Sequence, residues 1–154
     1  MSLVEKYERL DKLVHKKNQD ETLDKLFSDI LKETFELVNK KIEENKTLNV
    51  EDEEEKAAVR AMFEYMLELW EEEAFEEAKA IGYDMVYLIE DENLKEMFSM
   101  FVLGMLAGLD IDEFFEKYVN NEKVYKDMFF VDFDDSIEEL IIRYKDKFKE
   151  EFSA

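Results

Sequence analysis

Proline is absent from this 154-residue chain, and glycine occurs only three times, at Gly82, Gly104 and Gly108. These two residue types are the strongest local interrupters of regular structure. A chain nearly without them turns where Asn, Asp or one of its glycines permits, and its other segments can run as long helices. The fold class this predicts is all-α: a single-domain helical bundle of about six or seven helices over residues 1–154, more than about 65% helical.

Hydrophobic spacing divides the chain accordingly. Leu3, Tyr7, Leu10 and Val14 form one stripe of a first helix over 3–14. Asp20 is placed to cap a second helix over 21–45. Its apolar residues, from Leu23 to Ile42, cover nearly half its circumference, which implies more than one neighbour. A third helix is expected to begin after residues 47–49, with the acids of 51–55 at the positive end of its dipole. It should run to about Ala80 and stop at Gly82, with Val59, Met62, Phe63, Met66 and Trp70 facing the core.

Asn93 followed by Glu96 has the form of a capping box and predicts a break near 91–93. Residues 97–107 are apolar nearly all round, the mark of the innermost helix, with Phe98, Phe101, Leu103 and Met105 among the most buried. Gly108 suits a left-handed stop, Asp110 can cap a helix over 111–119 with Glu113 at its third position, and Leu109 with Phe114 is placed as a hydrophobic staple. A short helix is expected at 122–130. Asp135 and Glu138 should open the last one, whose stripe is Ile137, Leu140, Ile141, Tyr144 and Phe148. Residues 85–89 and 128–133 have strand-like composition, so a minor two-stranded element pairing them is the alternative there.

The chain carries 42 Asp/Glu against 21 Lys/Arg, a net charge of −21. Residues 1–48 hold 10 basic and 11 acidic side chains, residues 140–154 hold 4 and 3, and residues 49–139 hold 7 and 28. The middle block therefore carries the whole excess. Such a field repels nucleic acid and anionic lipid and attracts basic proteins or cations. Lys outnumbers Arg 18 to 3, a further weight against phosphate recognition by guanidinium forks. The 21 aromatic residues give the chain a core that disordered acidic tails lack.

Without cysteine there are no disulfides, thiolate metal sites or cysteine nucleophiles. The most apolar stretch, 97–109, spans 13 residues, short of the roughly 20 needed to cross a bilayer. With no basic-then-apolar leader at its start, the chain is expected in the cytoplasm.

Motifs that carry chemistry fail one by one. The single histidine, His15, lies off the apolar stripe and has no glutamate three residues before it, which removes di-iron, zinc and Ser-His-Asp arrangements. Residues 132–136 open like a calcium loop, but Ile137 stands where glycine is required and Arg143 where a bidentate glutamate is required. Glu72, Glu73 and Glu76 match half of the magnesium element of all-helical nucleotide pyrophosphohydrolases; the E-x-x-D half is missing downstream. Gly104 and Gly108, four apart, are read as a crowded contact and a helix end. No catalytic residue, cofactor or metal is assigned.

On one uninterrupted third helix, Glu73 and Glu77 would continue the stripe of Val59, Met66 and Trp70. They are then either a covered carboxylate pair or, on a projecting helix end, a solvated one, and the second is favoured. Glu68, Glu72 and Glu76 lie on the opposite face and are assigned to partner binding. Residues 51–77 hold a net −10 over roughly 40 Å of helix, against about 24 charges for duplex DNA of that length. One helix alone does not match that density.

The expected function is a non-enzymatic interaction protein that binds a basic protein partner, in its sharper form an inhibitor occupying a nucleic-acid-binding surface. Direct nucleic-acid and membrane binding are not expected. A homodimer through the near-neutral first two helices is a further assembly. The competing readings are a helical domain whose charge only solubilises it and a magnesium-dependent enzyme using helix carboxylates.

Overall fold

Segments rich in Leu, Glu, Lys and Ala at helical spacing become seven helices in the computed structural model, which describes residues 2–14, 20–120 and 133–153. They are α1 (Leu3–Val14), α2 (Asp20–Glu43), α3 (Glu53–Glu71), α4 (Phe75–Leu88), α5 (Glu92–Leu106), α6 (Ile111–Tyr118) and α7 (Ile137–Phe152). The fold is all-α, and no strand occurs among the described residues. The two-stranded alternative is corrected: residues 85–88 belong to α4, where helical packing overrides β-branched composition. Phe133 instead makes one antiparallel bridge with Val119. His15, residues 128–132 and the helix expected at 122–130 lie outside the described residues. So does the cap of α2, which begins at Asp20 itself.

The chain divides into two compact units, residues 1–62 and 63–154, with the boundary inside α3. In the first, Leu3, Tyr7 and Leu10 of α1 and Leu26 and Ile30 of α2 pack with Ala57, Ala58 and Ala61 of α3. Three alanines at this contact let the helices approach closely. Polar groups then fix the register. The Glu54 carboxylate accepts from the backbone N–H groups of Leu3 and Val4, at 2.9 and 3.1 Å. An anion thus sits on the positive end of α1. Arg60 forms a fork with Asp11 at 2.9 and 3.2 Å while its guanidinium lies 3.9 Å above the Tyr7 ring. The third helix begins after residues 47–49 as expected, and Asp52 caps it by accepting from the N–H groups of Glu54 and Glu55.

In the second unit α5 is innermost, with α4 and α7 its closest backbone neighbours. Phe98 and Phe101 are fully buried, Leu103 and Met105 nearly so. Phe63 meets Phe98 and Phe101 edge-on, at 5.8 and 5.1 Å between centroids, and Trp70 packs on Phe101 and Phe114. Such pairs add to the burial of large apolar surfaces. Asp91, two residues before the expected Asn93, caps α5 through the N–H of Leu94. At the other end of α5, Gly108 takes φ 75°, and Asp110 caps α6 by accepting from Glu113 at 2.8 Å.

Two expectations about the middle of the chain are overturned. The third helix does not reach Ala80; it ends at Glu71, and a new helix starts at Phe75. Gly82 is therefore not a stop but lies inside α4, where an added Cβ would sit 2.4 Å from Val102 Cγ2. It serves close approach of α4 to α5. The last helix also opens differently: Ser136 holds the cap position without a side-chain cap bond, and its hydroxyl donates to the Lys117 carbonyl.

Candidate functional site

The break between α3 and α4 follows from hydrogen bonding. The N–H of Glu73 donates to the carbonyl of Trp70 and that of Ala74 to the carbonyl of Leu69, at 3.0 and 2.9 Å. This pair of bonds is a Schellman ending with Glu73 in the left-handed position, φ 65°. The chain then folds back, so that a Cβ on Gly82 would come within 3.6 Å of the Met66 sulfur. The projection that put Glu73 and Glu77 on one core stripe fails, because they do not share a helix. Both are exposed. The covered-pair alternative is thereby corrected: water solvates these carboxylates.

The residues assigned to partner binding are likewise divided. Glu68 is on α3, Glu72 is in the turn and Glu76 is in the first turn of α4; all three are exposed. What the fold-back does is crowd charge at one corner. Six carboxylates, those of Glu68, Glu71, Glu72, Glu73, Glu76 and Glu77, are exposed within ten residues. The half-motif Glu72, Glu73 and Glu76 lacks the helical frame its magnesium chemistry needs. Among the described residues, no group of three or more His, Asp or Glu side chains could hold a metal ion.

Beside this corner lies a cluster for which the sequence offered no local signal. Lys79 Nζ pairs with Glu151 of α7 at 2.9 Å and with Glu76 at 3.1 Å, its own side chain only 11% exposed. The Tyr83 ring stacks at an angle on Phe148 and Phe152. Burial pushes the Tyr83 hydroxyl well above the usual phenol range, and the charge of Glu151 adds to this. Burial alone would lower the Lys79 ammonium, but its bonds to Glu151 and Glu76 outweigh that and raise it. Long sequence separation hid this cluster, since Lys79 and Glu151 meet only through the pairing of α4 with α7. Its chemistry is a covered ion pair that fixes α7 on α4.

The corner thus presents six exposed carboxylates, of which Glu76 pairs with Lys79. Comparison with protein-family models, curated proteins and solved structures finds no match for this chain. No described helix is long and apolar enough to cross a membrane.

Proposed function

We infer that this protein is a non-enzymatic interaction module whose acidic surface, centred on the α3–α4 corner, engages a basic protein partner. The observation that carries this reading is where the charge lies. Residues 63–154 hold 26 acidic and 9 basic side chains. Of the 23 acidic residues described there, 20 are exposed, so most of that charge lies at the surface. A surface field of one sign steers oppositely charged proteins and rejects like-charged ones. An inhibitor seated on the nucleic-acid-binding groove of a basic protein is the sharper form of the same reading.

The test is affinity capture with the full chain as bait, repeated with Glu68→Lys, Glu72→Lys and Glu76→Lys combined, at rising salt. The reading expects captured proteins to be basic, to elute as salt rises, and to be lost from the variant. Capture that ignores both salt and charge reversal would leave the acids a solubilising role only.

A further inference from the structure

The α3–α4 corner is built against its own local preferences. Three helices end in the same pair of backbone bonds. At two of them the left-handed residue is Asn45, φ 54°, or Gly108, φ 75°, the residue types that adopt this conformation readily. At the corner the same position holds Glu73, whose side chain gives it no such freedom. The start of α4 is no better: Ala74 occupies the cap and makes no side-chain cap bond, where Ser, Thr, Asp or Asn is favoured. Glu68 and Glu71 occupy the last turn of α3, which has no basic residue, although its negative dipole end favours cations.

Meanwhile residues 71–78 read Glu-Glu-Glu-Ala-Phe-Glu-Glu-Ala, a run of mostly strong helix formers. The residue preferences of the corner itself, 71–78, therefore favour one continuous helix, and tertiary packing bends it. Trp70 of α3 against Phe101 and Phe114, and Met66 of α3 beside Gly82 of α4, supply that packing. Both sets of contacts can be made equally well if α3 comes from one molecule and α4–α7 from another.

We propose that the α3–α4 corner is a hinge through which two copies of this chain exchange α3 and assemble as a dimer, α3 and α4 of each merging into one helix. Short hinges under strain favour such exchange. One term opposes it. In a merged helix Glu68–Glu72, Glu72–Glu76 and Glu73–Glu77 become like-charge pairs four residues apart. Repulsion keeps the exchanged form minor at low ionic strength, and screening releases it. The inference is independent of the basic-partner reading, which needs only the exposed acids.

Mass in solution, by light scattering on the full-length protein, tests this after incubation at millimolar concentration in high salt. The wild type should form a slowly exchanging dimer. Glu73→Gly, which relieves the left-handed residue in both of the monomers that form a dimer, should lower the dimer association constant at least about thirtyfold. Glu72→Gln with Glu77→Gln, which removes all three repulsive pairs, should raise it. Spin labels on Cys replacing Glu64 and Asp84 of one chain, diluted with unlabelled protein, report the merger itself. Twenty residues of continuous helix hold them about 30 Å apart, whereas the folded-back corner, which brings Gly82 beside Met66, holds them well short of that. Wild type and glutamine variant monomeric under all these conditions would overturn the proposal. So would a dimer insensitive to Glu73→Gly, or one that retains the short label distance.

Discussion

The indole N–H of Trp70 donates to the backbone carbonyl of Leu109 at 3.0 Å. Trp70 stands in the last turn of α3, and Leu109 lies between the end of α5 and the cap of α6. One hydrogen bond therefore joins the end of one helix to the link between two others, from a ring that is only 1% exposed.

Trp70→Phe keeps much of the apolar filling and removes the donor, leaving a covered carbonyl unsatisfied. Unfolding in urea should show a loss of about 1–3 kcal/mol. A change within about 0.5 kcal/mol, the range of ordinary surface substitutions, would mean that water replaces the indole.

The glycines should separate by mechanism. At Gly104 an added Cβ meets the Phe114 ring at 2.4 and 2.7 Å and Trp70 at 3.1 Å; at Gly108 it meets open space, with φ at +75°. Gly104→Ala should cost about 1–3 kcal/mol or more through overpacking, and Gly108→Ala about 1 kcal/mol through backbone strain. Thermal unfolding that ranks Gly108→Ala as the costlier would contradict the packing described for α5 and α6.

Glu54 caps a helix other than its own. Glu54→Ala should cost about 1–2 kcal/mol, by loss of the anion and of two acceptors at the start of α1. Amide exchange should quicken first at Leu3 and Val4, the two donors. Unchanged exchange there would remove the cap from the account.

Tyr83 and Lys79 both have raised proton affinity in the folded state, above ordinary values of 10.0 and 10.5. The folded chain then holds protons that the unfolded chain releases, so the stability these groups contribute is complete below about pH 10 and is lost as pH rises further. Alkaline unfolding should begin there, and Tyr83→Phe should flatten that limb. An identical alkaline profile for the variant would show that its hydroxyl is solvated.

Where a helix end carries its own chemistry, the sequence is legible. Gly108, Asp110 and Glu113 mark the α5–α6 link correctly because a left-handed stop and an N-cap each demand particular residue types. The α3–α4 corner shows no such sign: Glu73 and Ala74 hold positions where glycine and a capping side chain would announce a turn. Packing of Trp70 and Gly82 decides it, and packing is not a local property. Gly82 misleads for the complementary reason, since a glycine needed for close approach reads like a helix stop. The exposed acids were readable as charge but not as a corner, because the helix expected to carry them all ends at Glu71. The Lys79–Glu151 pair, 72 residues apart, has no signature short of the fold itself.

The central claim, that the outward carboxylates of the α3–α4 corner steer a basic partner, is tested most directly by association kinetics. The rate constant for a captured partner should be measured across ionic strength, for the wild type and for the Glu68→Lys, Glu72→Lys, Glu76→Lys variant. Exposed charges are screened over about 8 Å at physiological salt, so wild-type association should slow steeply as salt rises. Charge reversal should slow association more than it speeds dissociation, as rim charges do. A partner whose association ignores both salt and charge reversal would contradict the account.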